Sequence, residues 1–294
     1  MSLADYEEHL KKTESKKNKD ERIWTTSPDA SGNATAVIRF LPPPKGEPRG
    51  AAWVKLLTHF FKGKTGRYYS ENCLRTLDQD CPVCILNREL WATGDEGEAI
   101  VRGSKDNPGR KAKTNYYSNI FVVEDSANPE NEGKVFLFRY GVKIFEKVHD
   151  MLHEEKIDIF DMKKGRDFKI KQVKVSGFPN YDKSSFASKE SPIAKSDKAI
   201  KEIHDSCYSL QEIVSSDKFL SYDEAEKKMN SVIHGKSSKV MEKNNDVVEE
   251  KQEKEPVSKR EVEEETKKVL EEDVHPVDDD VDDVVAEFES LFDD

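Results

Sequence analysis

The chain has 294 residues, 36% of them charged and 35% hydrophobic, with a formal net charge of −11. The usual apolar share is about 45 to 50%, so this composition argues against two full-sized cores and predicts one compact core with disordered ends. No run approaches the roughly 18 to 20 apolar residues of a membrane span, and Met1 to Lys19 is charged, which argues against membrane insertion or secretion.

The charge is segregated along the chain. From Glu242 to Asp294 there are 22 acidic residues and 7 basic ones, whereas Met1 to Met241 holds 41 Lys and Arg against 37 Asp and Glu. An acidic average thus hides a mildly basic body, which suits a nucleic-acid surface joined to an acidic interaction tail.

The first thirty residues are polar and Lys-rich and read as an arm or a frayed helix. A strand is predicted at Ala36 to Leu41, stopped by Pro42-Pro43-Pro44, which lack backbone donors. Further strands follow at Trp53 to Phe61, Tyr116 to Val123, Val135 to Tyr140, and Phe168 to Val175, the last with a phase slip near Gln172 that permits a bulge. Five or so short strands with irregular connections favour a small barrel over a doubly wound sheet. Helical period appears at Ile144, Val148, Met151 and Leu152, and again at Ile200, Ile203, Cys207, Leu210 and Val214. Ser221 and Glu224 form a capping-box pattern ahead of Ala225, Met229, Val232 and Ile233, and Gly235 is placed to end that helix and the packed body.

The most specific signal is His59, Cys73 and Cys81-Pro82-Val83-Cys84. A Cys-x2-Cys pair lets two thiolates meet one ion from a tight turn, and zinc with Cys and His ligands prefers closed tetrahedral coordination. His59 ends a predicted strand and Cys73 lies one short hairpin beyond, so the four converge easily. A redox Cys-x2-Cys pair is the alternative, but no thioredoxin-like βαβ pattern surrounds it. Four protein ligands leave no open position, so one structural Zn²⁺ is expected, in a reducing compartment. Cys207, on the apolar stripe of its predicted helix, reads as a small buried hydrophobe.

Basic residues interleave with aromatics in four places. Lys62, Lys64 and Arg67 precede Tyr68 and Tyr69; Arg102, Lys105, Arg110, Lys111 and Lys113 precede Tyr116 and Tyr117. Phe136, Phe138 and Tyr140 flank Arg139, and Lys169, Lys171 and Lys174 run into Phe178 and Tyr181. Single-stranded nucleic acid is held by this combination: cations follow the phosphates, and ring faces stack on unpaired bases at about 1 to 3 kcal/mol each. One aromatic in a strand is more often core, as Phe121 is read here; the recurrence beside Lys and Arg favours a binding face.

From Val269 to Asp294 there are 12 acidic residues and no Lys or Arg, a composition that stays disordered. Val281, Val284, Val285, Phe288, Leu291 and Phe292 follow helical spacing among those acids, as in a segment that docks on partner proteins and competes with nucleic acid for a basic groove. A solubilising tail is the plainer alternative. No Gly-rich phosphate loop, Ser nucleophile motif or apolar carboxylate pair emerges, so no enzyme activity is expected.

Several segments together are similar to the single-stranded DNA-binding proteins of T-even-type bacteriophages. They are Ala36 to Pro42, the His59, Cys73, Cys81 and Cys84 set, Lys113 to Ile120, Pro129 to Phe136, and Val175 to Tyr181, spanning about residues 30 to 235. The resemblance implies a mixed β fold with helices: an OB-fold core, a five-stranded Greek-key barrel over residues 26–238, with a zinc subdomain inserted at about 55–110. It implies His59, Cys73, Cys81 and Cys84 as zinc ligands, and groove aromatics at or beside Tyr68, Tyr69, Tyr116, Tyr117, Phe138, Phe178 and Tyr181. It also implies cooperative, sequence-tolerant coating of single strands in the cytoplasm of an infected host during replication, recombination and repair. Self-association would run through the arm, residues 1–25, and the tail, residues 239–294, would meet polymerase, recombinase, mediator and helicase-loading proteins. The family's compact Lys-Arg-Lys-Ser/Thr arm motif is replaced here by Lys11, Lys12, Lys16 and Lys17 diluted by Glu, and Gly94 to Gly109 also departs from the pattern. An RNA-binding zinc protein and a zinc-dependent nuclease or deaminase are the rival readings.

Overall fold

The structure, a computed structural model, describes residues 20–235 apart from 49, 65 and 105–107. The chain divides into two units, Met1–Ser237 and Ser238–Asp294, and every described residue lies in the first. Lys11, Lys12, Lys16, Lys17, Lys105 and the tail residues Val281, Val284, Val285, Phe288, Leu291 and Phe292 lie outside the described residues.

Nine strands form one mixed sheet: β1 (Ile23–Trp24), β2 (Ala34–Phe40), β3 (Val54–Lys62), β4 (Tyr68–Asn72), β5 (Lys113–Glu124), β6 (Val135–Tyr140), β7 (Phe168–Val175), β8 (Phe178–Asn180) and β9 (Ser185–Phe186). Its main path runs β1-β6-β5-β2-β7-β8, with β3 paired to β5 and β4, and β9 to β7. The twelve-residue β5 organises this layout. One edge pairs with β6, while the other is divided, Lys113 to Tyr117 facing β3 and Ile120 to Glu124 facing β2. Five α-helices among the described residues complete the body: α1 (Pro82–Trp91), α2 (Asp95–Arg102), α3 (Val142–His153), α4 (Asp197–Asp205) and α5 (Tyr222–His234).

Because the end of β2 is covered on both faces, apolar and polar residues are buried side by side there. Phe40 meets the rings of Phe138, Tyr140, Phe160, Phe168 and Phe186 at centroid distances of 5.6 to 6.5 Å, mostly in the tilted or edge-on arrangements rings prefer. Arg39, one residue earlier, is equally buried. Its guanidinium donates to Asp167 Oδ1 at 2.9 Å, to Ser191 O at 3.0 Å and to Ser191 Oγ at 2.7 Å, which satisfies the charge.

Three sequence expectations change. No bulge occurs at Gln172: β7 keeps its alternation, and the buried amide accepts from Thr26 Oγ1 at 2.6 Å and Tyr181 OH at 3.1 Å, so a polar residue occupies an inward position without a slip. The register shift lies in β2 instead, between Val37 and Ile38. The long stripe from Ile200 to Val214 is not one helix, and Cys207 lies beyond the end of α4, half-buried. The Asn119 side chain takes both backbone groups of Tyr208 at 2.9 Å, and Glu47 Oε1 accepts from Leu210 N at 3.0 Å, so those groups cannot continue a helical ladder. Burial pushes the Cys207 thiol up to about 12, which leaves it unreactive. Phe121 is half-buried rather than core. The capping box of α5 and its αL Gly235 are present as expected.

Phe40→Ala removes the hub of five ring contacts and is expected to cost about 3 to 5 kcal/mol of stability. Urea denaturation followed by tryptophan fluorescence measures it; a loss below about 1 kcal/mol would show that the other rings hold the core without it.

Candidate metal centre and basic aromatic face

Strand β3 alternates strictly over its second half, turning His59 and Phe61 inward and Phe60 and Lys62 outward. After the hairpin to β4, the Cys73 N–H donates to Leu57 O at 2.8 Å, which returns Cys73 to the inner face of the same strand. Cys81 is the N-cap of α1, with Pro82 in the first turn, where a missing N–H costs nothing. Cys84 follows one turn later. The helix N-terminus favours sulfur in its thiolate form.

Sulfur and nitrogen atoms converge there. Cys73 Sγ lies 3.6 Å from Cys84 Sγ, and His59 Nε2 lies 3.6 Å from Cys81 Sγ and 3.4 Å from Cys84 Sγ. All four donor atoms fall within 4.8 Å of one another. A tetrahedron with bonds of about 2.3 Å to sulfur and about 2.0 Å to nitrogen has edges near 3.8 and 3.5 Å, so the spacing fits a single metal ion. His59 Nδ1 is 2.9 Å from Arg110 O; a carbonyl can only accept, so Nδ1 carries the proton and Nε2 is left to face the sulfurs. Asn87 Nδ2 donates to the same carbonyl at 2.9 Å.

The electrostatics agree with a cation-seeking pocket. Burial opposes the charged imidazole, yet the adjoining Cys81 and Cys84 sulfurs outweigh it and raise His59 to about 9. Hydrogen bonds from Cys73 and Cys84 hold Cys81 far below a free thiol, while Cys73 is pushed up by Cys81 and Cys84 and by burial. Phe61, Tyr69, Leu74, Val83, Met229, Val232 and Ile233 pack together around the buried cysteines.

The predicted aromatics divide by strand face. Phe61 and Tyr69 stack at 5.0 Å inside, whereas Phe60 and Tyr68 stack at 5.3 Å and 18° on the outside and are 39% and 52% exposed. Lys62 Nζ lies 5.8 Å from the Tyr68 ring centroid and Lys113 Nζ 5.8 Å from that of Phe60, so the outer pair is flanked by two ammonium groups. Phe60 was missed in the sequence, although the two-residue period places it opposite His59. Lys64, Arg67 and Lys111 are exposed on the same hairpin or on the approach to β5; Arg110 is half-buried with its guanidinium 5.4 Å from the Phe61 ring.

The other rings are distributed differently from the expected groove. Tyr69, Tyr116, Tyr117 and Phe138 are buried in the described structure, because the strands that carry them are covered on that face, and a buried ring offers no face to a base. Tyr116 stacks on Phe145 of α3 at 3.9 Å, Phe138 meets Trp24 at 5.5 Å, and Tyr117 packs with Val54, Leu56, Leu137 and Leu210. Arg139, paired with Tyr117 in register, is exposed; Phe136 and Tyr181 are half-buried. Phe178 is 59% exposed on the β7-β8 hairpin, whose turn residues Ser176 and Gly177 both have positive φ, as a tight type I′ connection needs. Arg102 is engaged by Glu98 and by the Trp91 ring.

Comparison with known proteins matches this sequence to a family. A family model described as gp32 DNA binding protein like matches residues 32–233. The chain belongs to this family. The Single-stranded DNA-binding proteins of Enterobacteria phages T2 and T4 are 38% and 37% identical to it over 227 residues, which cover 74% of this chain and 71% of each relative. The protein of the same name from Enterobacteria phage RB70 is 38% identical over 104 residues, 34% of this chain and 79% of that relative.

Asn87→Ala frees the Arg110 carbonyl from one of its two donors and loosens the imidazole. Metal retention, measured by competition with a chromophoric chelator, is expected to fall about 10- to 100-fold, the usual cost of losing an outer partner. Unchanged retention would confine the role of Asn87 to packing.

Proposed function

We propose that this protein binds single-stranded DNA, as the names of its relatives suggest, and does so without sequence preference and without enzymatic activity. The observation that carries the reading is the outward Phe60 and Tyr68 stack flanked by Lys62 and Lys113: two ring faces for unpaired bases beside cations for phosphates. Lys111, Arg110 and Arg139 extend the positive face, and Phe178 and Tyr181 offer a second aromatic station on the β7-β8 hairpin. Tyr69, Tyr116, Tyr117 and Phe138 serve this face as its buried support. Phe136 is assigned to its margin, and Arg102 and Lys105 to outlying phosphate contacts.

Zinc is the ion assigned to His59, Cys73, Cys81 and Cys84. Three sulfurs and an imidazole nitrogen close the tetrahedron, which supports a structural ion and leaves a nuclease or deaminase mechanism without an open position. The long, doubly partnered β5 supports reading the body, residues 26–238, as an OB-type barrel with a zinc subdomain at about 55–110. The arm, residues 1–25 with Lys11, Lys12, Lys16 and Lys17, is assigned to self-association along DNA. The tail, residues 239–294, is assigned to replication and recombination partners through Val281, Val284, Val285, Phe288, Leu291 and Phe292. Among the described residues no helix is long and apolar enough to cross a membrane. Work on DNA in the cytoplasm of an infected host is assigned from the phage origin of the relatives.

Fluorescence titration over a salt series tests the reading, with single-stranded DNA, matched RNA and duplex as ligands. Tyr68→Ala is expected to weaken single-strand binding by about 1 to 3 kcal/mol and leave the salt slope unchanged. Lys111→Ala or Lys113→Ala is expected to reduce the slope by about 0.7. Equal affinity for duplex would refute the proposal, and preference for RNA would reassign the substrate. A version ending at Met241 is expected to bind more tightly than the full chain; equal or weaker binding would remove the tail from competition for the groove.

A further inference from the structure

We propose a second metal site, separate in residues and character from the closed one: an open site for a first-row divalent cation, chelated by His149 and His153 on α3. The two histidines are four positions apart, the spacing that places side chains one above the other on a helix face and lets two imidazoles meet one ion. Their rings stack with centroids 5.2 Å apart and an interplanar angle of 15°, which puts both side chains on one helix face; a side-chain rotation out of the stack turns one nitrogen of each toward a common ion. Both are half-buried, on the flank of a helix whose inward face is Ile144, Phe145 and Val148.

The surroundings favour a cation. Glu146, Asp150, Glu154 and Glu155 stand in the same stretch as the pair, against Lys147 and Lys156. The Lys147 ammonium is turned aside, donating to Asp182 O at 3.2 Å. His153 Nδ1 lies 3.0 Å from a Glu154 carboxylate oxygen, the outer-sphere contact that fixes a histidine's tautomer and leaves Nε2 for a metal. Two imidazole ligands select Cu²⁺, Ni²⁺ or Zn²⁺ over the oxygen-seeking Mg²⁺ and Ca²⁺. With only two protein ligands the ion keeps solvent on its remaining positions and exchanges freely, in contrast to the His59 cluster. A bound ion would clip together the last two turns of the helix whose Phe145 stacks on Tyr116 of β5, and would stabilise the body by mass action.

The test is calorimetric titration of the zinc-loaded full chain with NiCl₂ at neutral pH, with CuCl₂ and electron paramagnetic resonance as a second readout. Released zinc is followed with a chromophoric chelator. One Ni²⁺ per chain is expected to bind with no zinc released, and Cu²⁺ is expected to show two nitrogen ligands. His149→Gln or His153→Gln is expected to weaken binding at least about tenfold, since loss of an outer partner alone can cost that much. His9→Gln, His234→Gln and His275→Gln are expected to leave it unchanged, and circular dichroism checks that all variants fold. Binding unaffected by either α3 substitution, abolished by one of the three control substitutions, or accompanied by stoichiometric zinc release would overturn the proposal.

Discussion

His59 and Phe60 are adjacent in the chain and face opposite sides of β3, and most of the proposed binding surface depends on that single alternation. A strand has one phase: once His59 is drawn inward to meet three sulfurs, Phe61 must join the core and Phe60 and Lys62 must face out. Slipping the register by one residue would bury a lysine and expose the imidazole. The histidine and cysteine cluster therefore does more than stiffen a loop. It selects the face on which the aromatic pair and its flanking cations stand.

That coupling reaches a second strand through one carbonyl. Arg110 O accepts from both His59 and Asn87, so the backbone just before β5 is held by the centre and by α1 together. The next residues, Lys111 and Lys113, are exposed cations, and Lys113 sits over Phe60. A main-chain acceptor is an economical anchor, since it fixes the path of the chain without consuming the guanidinium that the same residue carries.

The metal set was legible in the sequence because ligand chemistry is sparse: few residue types bind such an ion, and Cys-x2-Cys brings two of them to one point. Strand positions were legible too, as was the capping box at Ser221, because both are local patterns. The helix drawn through Val214 was not, since it is ended by Asn119 and Glu47, residues about ninety and more than one hundred and sixty positions away that claim its backbone groups. The aromatics show the same limit. Tyr68 and Tyr69 are indistinguishable by composition, and only the phase of β4 against the metal cluster exposes one and buries the other. Tyr116, Tyr117 and Phe138 sit beside basic residues in sequence yet point to the interior, because β5 and β6 are covered on both sides by elements remote in the chain.

Burial of the inner rings also suits the outer pair to its proposed binding role. Two exposed rings on a two-stranded hairpin would lose much orientation to side-chain and backbone freedom. Here the hairpin is backed by the Phe61 and Tyr69 stack, by the sulfur cluster and by Met229, Val232 and Ile233 of α5. Gly63, just past β3, approaches the Val232 carbonyl so closely that a Cβ there would lie 1.9 Å from its oxygen, so the hairpin backbone packs directly on α5. The apolar side of the strand thus supplies rigidity, and the polar side supplies chemistry whose entropy of ordering has already been met in folding.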